Sequence, residues 1–272
     1  MSLSRTVLDV GASFGLFSNF IANLSEEFGG VASVRVFAVE PIPHVALKIK
    51  ERENLKVIQT AILSSGLIPP SGAKDFKVMK NSELSTFLEI NPKLDSDIWN
   101  DYVTSLEVAQ EISVKCITLQ QLILENKITK IDFLKIDTQG TDLDVLLSAG
   151  SEIKRIIACV LELPYTKESA IYADEKSLSQ GIDILKEYGF TPMRIVPNSY
   201  GECNVFFRNS TCSSKEYFQI EEDLHLGKAP TLKIGKHNPL INMSKLDKTI
   251  YFLKCLAVTL LTKFRFLKDF GN

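Results

Sequence analysis

Three carboxylates carry the chemistry that this sequence offers: Asp9, Glu40 and Asp137. Glu40 ends the apolar run Val34 to Val39, and Asp137 ends the run Ile131 to Ile136. Each therefore arrives at the tip of a buried strand, where a lone charge is costly without a ligand, a cation or an N–H group beside it. A carboxylate placed like Glu40, after the second of two parallel strands, can accept both hydroxyls of a ribose. Asp9 opens the turn Asp9-Val10-Gly11-Ala12-Ser13-Phe14-Gly15, which is fed by the apolar run Thr6 to Val10 and followed by an amphipathic pattern. Glycines in such a strand-to-helix turn let backbone N–H groups approach a ligand's polar end. Turn and carboxylate together point to a nucleoside-containing cofactor.

Bringing these residues together takes a parallel sheet. The runs Thr6 to Val10, Val34 to Val39, Leu55 to Ile58, Ile131 to Ile136 and Ile156 to Leu161 are almost continuously apolar, as strands buried on both faces should be. Helical patterns separate several of them. The first sets Leu16, Phe17, Phe20, Ile21 and Leu24 on one face, Asn19, Asn23, Glu26 and Glu27 on the other, and stops at Gly29-Gly30. Thr191 to Val196 and Cys203 to Phe207 read as two further strands joined by Pro197 to Gly201, too short a link for a parallel pair. The expected fold is a doubly wound, mostly parallel, seven-stranded α/β sheet with its last strand antiparallel.

Residues 64–115 break the alternation with Pro69-Pro70, Ser71-Gly72, Asn91-Pro92 and the only tryptophan, Trp99. They read as an insertion or lid near the carboxyl ends of the strands, where open α/β sheets bind ligands. Ser85, Thr86, Phe87, Trp99 and Tyr102 are its candidate contacts for a sugar ring, with core packing the equal alternative for the aromatics. After Asp137, Thr141 is placed to cap a helix whose positive end favours Asp142 and Asp144. His44 is read as an exposed residue opening a helix.

The turn, the Glu40 block and the Asp137 block together resemble the FkbM-type methyltransferases, which bind S-adenosylmethionine. The resemblance rests on Val7-Leu8-Asp9-Val10-Gly11-Ala12-Ser13-Phe14-Gly15 with Ser18, on Phe37-Ala38-Val39-Glu40-Pro41-Ile42-Pro43, on Ala61-Ile62-Leu63 and on Leu134-Lys135-Ile136-Asp137-Thr138-Gln139-Gly140. Thr118-Leu119 and Leu161-Glu162 extend it, over roughly residues 6 to 208. It implies that Gly11, Ala12 and Gly15 shape the turn facing the methionine portion with Asp9 beneath, that Glu40, followed by Pro41, holds the ribose, and that Ala61 and Ile62 lie against the adenine. Asp137 and Glu162 then face the transferred methyl group or its acceptor and are the candidate catalytic residues. The implied activity is methylation of a hydroxyl on a sugar, glycolipid or natural product. Two departures stand out, since the family more often has Glu at the positions of Gln139 and Asp142; Gln139 keeps hydrogen bonding but cannot serve as a base. The corresponding domain is 1–212, with a basic appendage at 213–272.

Composition limits the alternatives. With 272 residues, 45% hydrophobic and 24% charged, the chain is an ordinary globular protein. Its first residues lack a basic region followed by a long apolar core, so a cytoplasmic location is expected. Five cysteines, never paired as Cys-x-x-Cys, read as free thiols, and no metal site is expected. Residues 227–272 hold nine Lys and Arg against Asp247 and Asp269, a net +7 that leaves −9 for the rest. Within that tail, Ile250, Leu253, Leu256, Leu260, Phe264 and Leu267 recur at helical spacing among lysines. Lys254, Lys263 and Arg265 spoil a membrane span, which needs about 20 predominantly apolar residues. The 249–268 helix therefore has three partners open to it: its own body, another subunit in a homo-oligomer, or the inner membrane surface as a peripheral contact.

Rival functions weigh less. An NAD-dependent oxidoreductase would use a similar turn, but Gly11 and Gly15 do not fit Gly-x-Gly-x-x-Gly. A non-catalytic nucleotide-binding module is disfavoured by the retained Asp9, Glu40 and Asp137. Nucleic acid is not an expected substrate, given an acidic body and no Asn/Asp-Pro-Pro-aromatic motif.

Overall fold

The computed structural model of the chain describes residues 4–27, 34–94, 104–198 and 201–232. In chain order the elements are β1 (Arg5–Val10), α1 (Leu16–Glu27), β2 (Val34–Val39), α2 (Pro43–Ala46), β3 (Leu55–Ile58), β4 (Ala61–Ile62), β5 (Ala73–Met79), β6 (Val108–Ile117), α3 (Leu119–Glu125), β7 (Ile131–Ile136), α4 (Asp142–Leu147), β8 (Ile156–Pro164), α5 (Leu178–Glu187), β9 (Phe190–Pro197), β10 (Glu202–Asn209) and α6 (Ser214–Asp223). Seven strands form the main sheet in the order β3-β2-β1-β7-β8-β10-β9. All neighbours pair parallel except around β10, which runs antiparallel to both β8 and β9. The expected mostly parallel sheet with a reversed last strand is thus the one observed. Spatially the reversed strand lies inside the sheet. Val205, Phe206 and Phe207 are fully buried, so β10 belongs between two neighbours, while β9, with Pro192 lacking a ladder donor, takes the edge where proline is tolerated.

Alternate residues of each strand feed two cores. Leu8, Phe37, Leu134, Leu161 and Phe207 meet Leu122, Leu146 and Leu185 of α3, α4 and α5 on one face. Val7, Val36, Phe133, Val160 and Phe206 meet Phe17 and Ile21 of α1 and Tyr217 and Ile220 of α6 on the other. One expected core residue is corrected: Leu16 is 57% exposed. The helix turns Ser18 to the sheet instead, because the Ser18 hydroxyl donates to the buried Asp9 carboxylate at 2.6 Å. At the far end of the same strand, Arg5 is buried with Nη1 2.9 Å from Asp132 Oδ1 and Nη2 2.5 Å from Asp223 Oδ2, tying α6 to the sheet.

Within and beside 64–115, β4, β6 and β5 make a second, three-stranded sheet, with Phe76, Val78 and Val114 packed on Ile42 and Val45. Trp99 and Tyr102 lie outside the described residues, as do the Gly29-Gly30 helix stop, Cys255 and the 249–268 helix. Cys116, Cys159 and Cys212 are buried free thiols, and Cys203 is buried with Sγ donating to the Leu163 carbonyl. No helix among the described residues is long and apolar enough to cross a membrane.

Candidate functional site

Strand order reverses between β1 and β7, and a crevice opens at the carboxyl ends of strands at such a point. Val10 is in register with Val39 on one side and Ile136 on the other. The next residues along, Gly11, Glu40 and Asp137, therefore emerge side by side. Gly11 has φ of 76°, and a Cβ there would stand 1.8 Å from the Asp137 carbonyl oxygen. Only glycine lets β7 leave the sheet across the turn.

The turn itself differs from the expectation that its amides face a ligand. The N–H groups of Gly11 and Ala12 both donate to the Val39 carbonyl at 3.0 Å, and that of Gly15 to the Ala12 carbonyl at 2.8 Å. The Ser13 N–H donates to Glu40 Oε2 at 2.9 Å. These donors hold the turn against β2, so its contribution to the site is its shape and the fixed Glu40 carboxylate. Glu40 Oε1 accepts from the Ile42 N–H at 2.9 Å. Burial pushes this carboxyl up to about 7, against the pull of the two amides. The Ser13 hydroxyl, next to it, has no hydrogen-bond partner among the described residues.

A chain of polar side chains runs beneath the crevice. Lys135 is only 5% exposed, with Nζ 3.1 Å from Asp137 Oδ2 and 3.4 Å from Asp9 Oδ1. Burial alone would lower this ammonium, but Asp137 and Asp9 outweigh it and hold it above the usual lysine range. Asp9, fully buried, is itself pushed up by desolvation despite Lys135 and Ser18. On the other side of Asp137, Gln139 Nε2 donates to Oδ1 at 2.8 Å, and Gln139 Oε1 is 2.9 Å from the Tyr172 hydroxyl. A glutamate at position 139 would have set a second carboxylate against Asp137; the amide supplies a donor instead.

Thr141 does not cap α4 as expected. Its hydroxyl turns back to the Thr138 carbonyl at 3.2 Å, and the Asp142 side chain fastens the loop to β8, Oδ1 accepting from Thr138 N–H and hydroxyl at 2.7 Å each and Oδ2 from the Glu162 N–H at 2.9 Å. Burial pushes Asp142 up to about 6. Glu162 closes on Asn198, whose amide donates to Oε1, and burial followed by the charges of Asp137 and Asp142 pushes it well above the carboxylate range.

The crevice is an open cleft whose empty space, open solvent included, is about 530 Å³. Of the residues expected to bind a cofactor, Gly11, Glu40, Pro41, Ala61, Ile62 and Asp137 line it. Asp9, Ala12, Gly15 and Glu162 stand behind or beside the lining. His44 is exposed on α2, away from it. The sequence did not single out Thr60, Phe76, Ser82 and Glu83 as lining residues; Ser85 and Phe87, which also line it, were expected contacts of the lid. Phe76 and Phe87 meet edge to face at 4.7 Å, which makes the second sheet the cleft's outer wall. Among the described residues no group of His, Cys, Asp or Glu could hold a metal ion.

Comparison with known proteins agrees with this geometry. A family model described as a methyltransferase FkbM domain matches residues 9–192. The chain is 27% identical over 209 residues to the AMB antimetabolite synthetase AmbE of Pseudomonas aeruginosa, covering 68% of this chain and 9% of that protein. It thus spans less than a tenth of that relative's length. Among solved structures, the METTL16 MTase domain aligns with a TM-score of 0.41 at 10% identity, over 77% of this chain and 61% of that one. LepI in complex with SAM aligns with a TM-score of 0.37 at 10% identity, over 76% and 43%.

Proposed function

The chain belongs to the FkbM methyltransferase family, whose members use S-adenosylmethionine, and we propose that it methylates a hydroxyl group on a saccharide, glycolipid or other small natural product. The observation that carries this reading is the emergence of Gly11, Glu40 and Asp137 side by side on one cleft whose far wall includes Ala61 and Ile62. The cleft's donor set fits the cofactor. Each Glu40 oxygen accepts one backbone N–H and keeps a lone pair for a ribose hydroxyl, and the unpartnered Ser13 hydroxyl lies beside them. Ala61, Ile62 and Phe76 offer apolar surface to the adenine, and the Gly11–Gly15 turn, braced by Asp9, borders the methionine portion.

When bound, S-adenosylmethionine supplies an activated methyl group on a sulfonium. The chain's own task is then to align the acceptor and take its proton. Asp137 is suited to both. One oxygen is held by Lys135 and the other by Gln139, so the carboxylate cannot swing away and would be placed to take the proton the hydroxyl gives up as its oxygen displaces the sulfide from the methyl carbon. Glu162, at the end of the adjacent strand, orients the rest of the acceptor. Small-molecule chemistry also suits the likeness to an antimetabolite synthetase.

Titrating the full chain with S-adenosylhomocysteine and with NAD by calorimetry tests the cofactor; binding of NAD alone would overturn the reading. Asp137→Asn and Glu162→Gln are expected to keep cofactor affinity within about threefold while cutting turnover by about a hundredfold or more for Asp137. Unchanged turnover in both variants removes them from the mechanism.

A further inference from the structure

Behind Asp137, Gln139 and Tyr172 form a line of hydrogen bonds that reaches the lip of the cleft. Gln139 Nε2 donates to Asp137 Oδ1 at 2.8 Å, Gln139 Oε1 stands 2.9 Å from the Tyr172 hydroxyl, and that hydroxyl stands 2.9 Å from the Leu84 carbonyl. Leu84 belongs to the short turn Ser82–Leu84, and Ser82, Glu83 and Ser85 line the cleft there. Gln139 is held at φ of 55°, a setting that residues other than glycine adopt at a cost. The Thr86 hydroxyl donates to its carbonyl at 2.7 Å, which pins the Gln139 backbone to the chain just after the lip.

The line is short of one hydrogen. The Tyr172 hydroxyl carries a single hydrogen and faces two acceptors. A carboxylate at Asp137 can only accept, so Gln139 must give it the NH2 group and turn its oxygen to Tyr172. Either that oxygen or the Leu84 carbonyl then goes without the Tyr172 hydrogen. Tyr172 is buried, and an unpaired polar group in such a place is costly.

We propose that Gln139 and Tyr172 are positioning residues that couple the grip of the cleft's lip to the proton carried by Asp137. As the acceptor oxygen bonds to the methyl carbon and the sulfide leaves with the carbon–sulfur electron pair, the hydroxyl proton passes to Asp137. Lys135 only donates and keeps Oδ2, so the proton resides on Oδ1. Gln139 then reverses its amide: Oε1 accepts from the Asp137 hydroxyl, Nε2 donates to the Tyr172 oxygen, and the Tyr172 hydrogen goes wholly to Leu84. Every group in the line is paired, and the lip is gripped. The Asp137 side chain is 36% exposed, so the proton can return to water; the carboxylate then reclaims Nε2, and the lip loosens for product to leave. This inference rests on the methyl-transfer reading for the source of the proton, while the coupling itself is testable without cofactor or acceptor.

Asp137→Asn imposes the proton-loaded arrangement at a fixed pH. The asparagine oxygen must face Lys135, its NH2 must face Gln139, and Gln139 must present Oε1 to it. The readout is hydrogen exchange, followed by NMR on the full chain, at the Leu84 and Ser85 N–H groups, which donate to the Asn81 and Ser82 carbonyls. Exchange there is expected to slow roughly fivefold in Asp137→Asn, the worth of one ordinary hydrogen bond. The slowing should vanish when Tyr172→Phe or Gln139→Leu is added. Asp9, Asp142, Glu162 and Glu202 also feel the charge at Asp137, and an effect of that charge alone would survive either addition. No slowing in Asp137→Asn, or slowing that survives the additions, overturns the coupling. Two ways of breaking the line keep the test decisive if one of those variants fails to fold. Failure of the wild-type chain to bind S-adenosylhomocysteine counts against methyl transfer and leaves the exchange result standing.

Discussion

Lys135 of β7 and Asp137, one residue past its end, have Nζ and Oδ2 3.1 Å apart, and the same ammonium lies 3.4 Å from Asp9 on the next strand. Two residues apart, the pair points to the face covered by α1. The lysine therefore serves two carboxylates at once, one wholly buried and one at the cleft.

Removing it should be costly. Lys135→Met leaves Asp9 buried without a cation, and breaking a buried pair by deleting one partner typically costs about 3–5 kcal/mol. Chemical denaturation of the variant should show a loss of that order. Adding Asp9→Asn removes the orphaned charge and should restore part of the stability without restoring turnover, because Asp137 still lacks its fixed partner. Equal loss in the single and double variants would argue against the charge-pair account.

Glu40 gives a pH signature. Its carboxyl is raised to about 7 by burial, and the ionised form is the better acceptor for ribose hydroxyls. Affinity for S-adenosylhomocysteine should therefore fall as pH drops below about 7, by up to tenfold per unit, and Glu40→Gln should bind more weakly with a flat profile. The linkage to stability runs the other way. A carboxyl raised in the folded state disfavours folding once it must ionise, so its cost grows as pH rises from the ordinary glutamate range through about 7. A wild-type binding profile that stays level between about pH 6 and 8 would sink this account of Glu40.

Much of the site was legible because it lies where strand runs end. Glu40 and Asp137 follow near-continuous apolar runs, and a parallel sheet carries such termini to one edge, so sequence order alone predicted their convergence. Lys135 escaped because it sits inside such a run, and the apolar pattern reads through it; the signal was a lysine in a strand buried on both faces, which demands an acid partner. Where the amides of Ala12 and Gly15 point was not legible for a related reason. Sequence shows that a turn has N–H groups but not where they go, and here Val39 and Ala12 take them. The outer wall from Phe76 and Phe87 depends on a second sheet that folds back from 64–115, a long-range pairing that no local period reveals.

Gly11 and Gly15 should respond differently to alanine. Both have positive φ, but at Gly11 the added Cβ meets the Asp137 backbone at 1.8 Å, whereas at Gly15 it meets side chains of Asn19 and Ile49 at 3.0 Å. Side chains can move by a few tenths of an ångström; the exit of β7 cannot. Gly11→Ala is expected to destabilise by at least about 2 kcal/mol and to abolish measurable cofactor binding. Gly15→Ala should cost about 1 kcal/mol and weaken binding moderately. The reverse ranking, measured by thermal unfolding and calorimetry on both variants, would be incompatible with the crossing of β7 over the turn.

Arg5 provides a control at the opposite end of β1. It is 4% exposed and bridges Asp132 and Asp223, while Asp132 Oδ2 also accepts from the Thr6 N–H at 2.9 Å. Arg5→Met should destabilise, but by less than the about 3–5 kcal/mol of a fully stranded buried charge, because Lys130 Nζ still lies 3.1 Å from Asp132 Oδ1. Adding Asp132→Asn keeps an acceptor for Thr6 and removes a charge then held by Lys130 alone, so the double variant should recover part of the loss. Because this cluster holds α6 at the amino end of the strand, far along β1 from Gly11, S-adenosylhomocysteine affinity of whatever fraction remains folded should match wild type. A changed affinity in the folded variant would mean that the α6 anchor reaches the cleft through the sheet.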